Sequence, residues 1–330
     1  MTPTPPNSII WARSLCTSPI RSPDAGRKAI SSMNSERRLS AGVLGAGLIG
    51  VDLAVKVERS AALDLRLVAG RTADSPGLKR AARLGLPAAS RGLSSLADLD
   101  EPLDVVFDAT NAGSHAEHAE ALAPLGTLLI DLTPSRIGRM VVPTVNGAEA
   151  AAHRDLNMVS CGGQASVPIV RAITRAHRID YVEVVATAAT LSVGRGTRLN
   201  LDEYVETTQD ALREFTGVGD VKAILNVSPA RPPATFRVAM SLVGEGLTHE
   251  SVHPLVASAA ADVRAFATGY TVTSCIVNDN KAFIAVEVTS AGDQIPAYAG
   301  NLDIINSAAI RVAERCAVQR RPIEAMEVVS

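Results

Sequence analysis

At 330 residues, 47% of them hydrophobic and 20% charged, the sequence carries enough apolar material for a large core, and its length favours two domains over one. A formal net charge of -2, from almost balanced acids and bases, leaves no electrostatic footprint for nucleic acid or for an anionic membrane, and suits a small, weakly charged partner. Cys16, Cys161, Cys275 and Cys316 stand far apart without a CxxC pair, which argues against a zinc site or a disulfide framework and for a reducing cytoplasm.

No apolar run approaches the ~18 residues needed to span a bilayer, so no membrane segment is expected. Residues 1–40 are rich in Pro, Ser and Arg and poor in acid, and are expected to form a disordered tail. An organelle transit peptide is the weaker alternative to a flexible tail or an over-extended start, because Met33 sits just before the first apolar run. From Leu39 the pattern changes to short apolar runs alternating with helical stretches: "SAGVLGAGLIG", "LDLRLVAGR", "PLDVVFDAT", "GTLLIDLT" and "DLNMVSCGG". Such alternation predicts α/β architecture, with βαβ units on a Rossmann-type parallel sheet over residues 41–160. Longer β-rich stretches follow: "IDYVEVVATAATLSV", "ATFRVAMSLV", "TVTSCIV" and "KAFIAVEVTS", with helical segments at 202–215 and 251–267. Residues 161–300 therefore read as an α+β domain with a largely antiparallel sheet. The stretch "GNLDIINSAAIRVAERCAV" places apolar residues at helical spacing and predicts a last helix over 301–318.

"VLGAGLIG" supplies Gly45, Gly47 and Gly50 as GxGxxG between a predicted strand and a predicted helix. The first glycine permits a tight turn, the second lets the backbone approach a pyrophosphate, and the third lets helix and strand pack closely. The helix N-terminus then offers its unpaired N–H groups to phosphate. At the end of the second strand, where an NAD site usually has an acidic residue for the ribose 2'-hydroxyl, this sequence has Arg71 and Thr72. Arg71 suits a 2'-phosphate, hence NADP or weak discrimination; a solvated arginine at a strand end is the equal alternative.

Cys161 lies where a strand passes into a helix, and the partial positive charge of a helix N-terminus favours thiolate over thiol. Gly162 and Gly163 leave room for a substrate carbonyl beside exposed backbone N–H groups, which suits nucleophilic attack together with oxyanion stabilisation. A buried structural cysteine is the alternative for Cys161 and the preferred reading for Cys275 and Cys316. A nicotinamide cofactor beside a thiolate points to one chemistry. The thiolate adds to an aldehyde, the thiohemiacetal yields hydride, and a thioester remains for water, phosphate or coenzyme A to release.

From about Ala41 to Arg315 the sequence resembles the acylating acetaldehyde dehydrogenases that work with 4-hydroxy-2-oxovalerate aldolases in meta-cleavage pathways for aromatic compounds. The resemblance rests on "GAGLIG", "VVFDATNAGSHAEHA", "IDLTPSRIG" with "VVPTVNG", "NMVSCGGQASVP", "GRGTRLNLDEYVETT" and "PAYAGNLDIINSAA", in that order. It implies that Cys161 carries the acyl thioester and that Ala46, Gly47, Leu48 and Ile49 cradle the cofactor pyrophosphate. It implies a second cofactor-contacting segment of Ser192, Val193, Gly194, Arg195, Gly196, Thr197, Arg198, Leu199 and Asn200. It places Asn301 at the nicotinamide and the reacting carbonyl, its amide donating to the oxyanion; from the residues alone Asn301 reads as a helix N-cap. It further implies NAD or NADP as cofactor, coenzyme A as co-substrate, a homodimer formed through the second domain, an aldolase partner that hands over the aldehyde, and a last helix that returns to the first domain.

Three departures bear on the reaction. The family commonly has an Arg-Asp pair after the Pro-Pro turn, whereas "RPPATFRVAM" gives Arg237 followed by Val238, which moves no proton. The stretch between Tyr270 and Pro296 is short, with "VNDNKAF" as a tight connection, and Arg195 stands where relatives usually have proline. His115 and His118 share one predicted helix, but no carboxylate accompanies them at motif spacing, so they are read as helix-face residues and no metal is expected. His153, His177, His249 and His253 carry no motif. The expected activity is oxidation of a short aldehyde to acyl-CoA. The alternatives are a divergent homologue with a different aldehyde or acyl-CoA substrate, and a weakly active cofactor-binding subunit of an aldolase.

Overall fold

A computed structural model describes residues 38–292 and 294–319, and for Arg195 and Gly196 the backbone alone. The expectation for the N-terminal tail falls outside the described residues up to residue 37. The first sheet contains β1 (Leu39–Leu44), β2 (Leu63–Gly70), β3 (Ala88–Ser90), β4 (Val105–Asp108), β5 (Leu128–Asp131), β6 (Arg139–Met140) and β7 (Asp155–Asn157). Every pairing in it is parallel, in the order β3-β2-β1-β4-β5-β7-β6. All residues of β4 and β5 are buried, as expected when helices cover both faces of a parallel sheet. The crossovers include α1 (Leu48–Arg59), α2 (Pro76–Arg83), α3 (Leu93–Ala97) and α4 (Ala112–Leu122). The chain runs outward from β1 through β2 to β3, then restarts at β4 on the other side of β1. That reversal opens a crevice at the carboxyl ends of β1 and β4, the usual ligand position in such sheets.

The second sheet runs β11 (Tyr270–Asn278), β12 (Lys281–Val288), β10 (Phe236–Gly244), β8 (Ile179–Ala189), β9 (Asp220–Ser228). Only β8 and β9 pair in parallel; the other neighbours are antiparallel. β10 alternates buried and less buried residues, so one face points inward and the other does not. The inward residues Val182, Val184, Phe236, Met240 and Ile284 share a core with Val167, Ile169 and Ile173 of α5 (Cys161–Thr174) and Val252, Val256 and Val263 of α8 (His249–Arg264). Between β8 and β9 lie α6 (Arg195–Leu199) and α7 (Leu201–Thr216). Asp279 and Asn280 both have positive φ, 47° and 62°, which closes β11 onto β12 in a two-residue turn, the tight connection expected from "VNDNKAF".

The last helix, α9 (Gly300–Gln319), belongs to both cores. Ile305, Ala308, Ala309, Val312 and Ala313 pack with Val43, Leu53 and Val57, whereas Ile304 joins the core under the second sheet. Polar contacts fasten it to α1: Asn306 Nδ2 donates to Asp52 Oδ2 at 2.8 Å, and Lys56 Nζ lies 2.6 Å from Asp52 and 3.0 Å from Asp303. Burial opposes the charge on Lys56, but the two carboxylates override it and raise its pKa.

Candidate active site

Each glycine of the first turn has its own physical requirement. Gly45 has φ +107° and a Cβ there would stand 2.6 Å from Ala109 O. A Cβ on Gly50 would stand 1.7 Å from Gly45 O, so the close approach of α1 to β1 needs glycine. Gly47 is exposed and a Cβ would meet nothing within 4 Å, which leaves the turn open on the side where a phosphate would approach. α1 has neither a side-chain cap nor an acidic residue in its first turn, so its N–H groups remain available to an anion. These residues fit a dinucleotide pyrophosphate. Ala46 and Ile49 are half-buried and Leu48 is 46% exposed. Ser75 caps α2, and a Cβ on Gly77 would lie 1.5 Å from Ala46 O, so α2 closes against this turn. Arg71 and Thr72 are exposed just beyond β2.

Asn301 lies in the first turn of α9, not at its N-cap, and the sequence reading as a cap is corrected. Its Nδ2 donates to Ser192 O at 3.0 Å, while Oδ1 is buried with no hydrogen-bond partner among the described residues. One of the two Nδ2 hydrogens is therefore committed to the backbone of the second segment, and the buried Oδ1 adds an acceptor that a ligand can meet. Ser192 and Val193 are buried, and a Cβ on Gly194 would meet nothing within 4 Å. Arg198 points back, donating to Val193 O at 3.0 Å and Thr190 O at 2.8 Å, so it pins the segment. Thr197 is half-buried, Leu199 is exposed, and Asn200 Oδ1 is a second buried acceptor without a partner. The side chain of Arg195 lies outside the described residues. A cavity of about 370 Å³ joins Leu48 of the glycine turn to Ser192, Tyr298 and Leu302. The structure thus brings together the turn, the Ser192 segment and the start of α9.

Cys161 is half-buried and is the first residue of α5. Its approach is unusual. Val159, β-branched and 1% exposed, has φ +62°, a conformation costing of order 1–3 kcal/mol. Asn157 Oδ1 accepts Val159 N–H at 2.8 Å, and Asn157 Nδ2 donates to Asp131 Oδ2 at 2.9 Å, so buried hydrogen bonds hold the strained turn that leads β7 into α5. Ser160 caps the helix by accepting Gly163 N–H at 2.9 Å, and Gly162 N–H donates to Tyr204 Oη at 3.1 Å. The first-turn amides expected to face substrate are thus occupied by side chains. Gly162 leaves room for Tyr204 instead of a carbonyl, since a Cβ would stand 2.4 Å from Oη. Tyr204 Oη lies 3.6 Å from Cys161 Sγ. The expected preference for thiolate is also corrected: burial pushes the Cys161 thiol up to about 11, against the opposing pull of Tyr204 and the Gly162 backbone.

Along 84% of this chain, an acetaldehyde dehydrogenase of Streptomyces griseus subsp. griseus is 50% identical, and the match covers 90% of that protein. The chain belongs to the acetaldehyde dehydrogenase family. An acetaldehyde dehydrogenase of Pectobacterium atrosepticum is 40% identical over 85% of the chain and 96% of its own length. The family model described as "Prokaryotic acetaldehyde dehydrogenase, dimerisation" matches residues 161–296. Among solved structures, aspartate semialdehyde dehydrogenase II of Vibrio cholerae shares the fold with a TM-score of 0.61 at 15% identity, covering 86% of this chain and 100% of that one. This acetaldehyde dehydrogenase family member is an oxidoreductase that acts on aldehydes.

Two features of this family member escape sequence reading. The first is Tyr204, distant from Cys161 in sequence and placed by α7. The second is a cluster around His115, which is fully buried. His115 Nδ1 lies 3.0 Å from Asp108 Oδ2, its Nε2 lies 3.2 Å from Asp155 Oδ1, and His118 Nδ1 lies 2.7 Å from Asp108 Oδ2. Asp108 Oδ1 accepts from Thr110, and Asp131 accepts from Thr133, Ser135 and Asn157. The reading of both histidines as helix-face residues without carboxylates is corrected. Ligating atoms of Asp108, His115 and Asp131 lie within 4.8 Å of one another, but the hydrogen bonds given above already engage these side chains. Val238 is fully buried in β10 between Ala186 and Val286, so that position is core. Its neighbour Arg237 pairs with Glu287 at 2.8 Å.

Proposed function

We propose that the protein oxidises a short-chain aldehyde, acetaldehyde or a close homologue, to acyl-CoA through a thioester on Cys161. In this reading Sγ adds to the aldehyde carbon and the C=O pair moves onto oxygen. Oxidation of that adduct leaves the thioester, and a bound NAD or NADP supplies the hydride acceptor. The coenzyme A thiol then attacks the acyl carbon, and Sγ leaves. Gly45, Gly47 and Gly50 shape the pyrophosphate cradle; the unpartnered Oδ1 of Asn301 orients a donor such as a carboxamide; Ser192 and Gly194 give backbone access beside it. Arg71 is compatible with either dinucleotide. The observation that carries the reading is a half-buried cysteine at a helix start in a chain that also builds an open GxGxxG turn. Incubation with acetyl-CoA followed by peptide mass spectrometry is expected to find one acetyl group, on the peptide containing Cys161. Acetylation elsewhere, or none, overturns the assignment.

Dimerisation through the second sheet belongs to the same proposal, as does contact with a 4-hydroxy-2-oxovalerate aldolase in a reducing cytoplasm. The name of the matching family model supports the dimer. So do Ile276 and Phe283, which face each other across β11 and β12 and are 51% and 40% exposed. Phe283→Asp is expected to shift the protein from dimer to monomer in analytical ultracentrifugation with thermal stability little changed; an unaltered dimer removes this face from consideration. Val238 favours a second reading, a cofactor-binding subunit that supports an aldolase. Co-purification with an aldolase, in the absence of aldehyde-dependent NAD(P) reduction, selects it.

A further inference from the structure

We propose that Tyr204 is a catalytic residue whose phenol O–H stabilises first the sulfur anion of Cys161 and then the oxyanion of each tetrahedral adduct. The inference rests on the thioester reading above.

Geometry and the charge on sulfur together set where the phenol proton goes. Tyr204 Oη accepts Gly162 N–H at 3.1 Å and lies 3.6 Å from Cys161 Sγ; once Sγ is ionised it has no hydrogen to give, and the phenol is the donor between them. The ring is 4% exposed, and the space its oxygen occupies exists because residue 162 lacks a Cβ. Two hydroxyls lock the helices on either side. Thr208 Oγ1 donates to Tyr204 O at 2.7 Å, and Ser160 Oγ lies 2.7 Å from Thr208 Oγ1 while accepting Gly163 N–H. The start of α5 is thereby clamped to α7 with the phenol aimed at the sulfur.

The amides of Gly162, Gly163 and Gln164 are already committed, while the Cys161 N–H faces its own sulfur. Gly162 N–H goes to Tyr204, Gly163 N–H to Ser160 Oγ, and Gln164 N–H to Ser160 O. Asn301 Nδ2 gives one of its two hydrogens to Ser192 O. Among the described residues Tyr204 is the side-chain donor on Sγ. Burial and the neighbouring Cys161 raise its pKa well above the usual 10, so it works as a neutral donor and not as a base. Gly162 N–H polarises that donor by bonding to its oxygen.

The steps balance with the NAD or NADP named above as hydride acceptor between addition and acyl transfer, and with each thiol entering as its anion after giving its proton to water. When Sγ forms its bond to the aldehyde carbon, the π pair moves to oxygen, one bond further from sulfur, and the phenol hydrogen follows the charge. In acyl transfer the coenzyme A sulfur forms a C–S bond, the oxyanion returns its pair, the bond to Sγ breaks, and the departing sulfur anion regains the phenol donor.

The test uses the full chain with Tyr204→Phe, and Gly162→Ala as an independent perturbation that keeps the phenol but displaces it from the sulfur. Alkylation by iodoacetamide is followed against pH by mass spectrometry of the Cys161 peptide, beside steady-state kinetics. Both variants are expected to move the alkylation pKa upward by about one unit, slowing labelling about tenfold near pH 8. The kcat should fall about a hundredfold with the aldehyde KM little changed, as for loss of one oxyanion donor. A purely structural role lowers thermal stability without moving the alkylation pKa. Alkylation profiles and kcat within twofold of the unaltered chain in both variants overturn the proposal. If the unaltered chain forms no acyl adduct, the thioester reading fails, while the alkylation profile still reports whether Tyr204 governs the sulfur.

Discussion

Cys161→Ser is expected to lower aldehyde oxidation at least about a thousandfold and to abolish acyl capture, because among the described residues a hydroxyl at this position has no base to ionise it. Sulfur succeeds where oxygen does not because its proton is far more acidic and its anion more polarisable. Even so, the site does not offer a ready thiolate. Burial raises the thiol to about 11, and no histidine or lysine is hydrogen-bonded to Sγ among the described residues. Reaction therefore draws on a small ionised fraction, and serine has almost none. Steady-state turnover with acetaldehyde, NAD(P) and coenzyme A, together with mass spectrometry for the adduct, measures the effect. Dinucleotide affinity, followed by quenching of protein fluorescence, should be unchanged because the glycine turn is untouched. Full turnover by the serine variant ends the covalent reading; lost turnover with equally weakened dinucleotide binding reports a disturbed fold.

What could be read from sequence follows the range of the forces involved. The demands on Gly45, Gly47 and Gly50 arise within one turn, and each appears where the spacing places it. Cys161 was likewise legible as a helix start, because cap and helix are neighbours in sequence. Which partner occupies each first-turn amide was not, since Tyr204 arrives from α7. The same limit hides the histidine cluster. The strands ending in Asp108 and Asp131 are plain as apolar runs, but their register, which sets Asp108 directly opposite Asp131, belongs to the folded sheet. β9 shows why the second sheet was incompletely read: its burial pattern loses alternation after Ala223, as suits an edge strand paired in parallel on one side. The polar atoms of Asn301 show a finer limit, because the residue type announces a contact while only the packing of α9 decides that one amide hydrogen goes to Ser192 and the oxygen stays unpartnered.

Asp108→Ala is expected to destabilise the fold by about 3–5 kcal/mol, the usual cost of removing one partner from a buried charged pair, and to lower Tm by roughly 10 °C. Asp108 is the hub, since one of its oxygens faces both His115 and His118. Burial opposes its charge, but hydrogen bonds from the two histidines win and hold its carboxyl well below the usual range. Burial likewise opposes a charge on His115, yet the bonds to Asp108 and Asp155 and the charge of Asp131 raise its pKa from 6.5 to about 10. A raised histidine stabilises fully below its unfolded pKa, and that contribution disappears as pH rises through the folded value. Asp131 acts in the same direction: burial raises its pKa, so the folded state favours its protonated form and loses that advantage as pH rises. Asp108 acts oppositely, its contribution vanishing only in strong acid. Stability of the unaltered protein should therefore decline from about neutral pH towards pH 10, as His115 loses its proton. In His115→Gln, which keeps polar atoms without titrating, Tm should start lower but the alkaline decline should flatten. Calorimetric Tm recorded across this range separates the outcomes. Equal alkaline slopes in the two proteins would show that His115 does not carry the alkaline decline, since the contribution of Asp131, raised to about 7, is already lost by neutral pH.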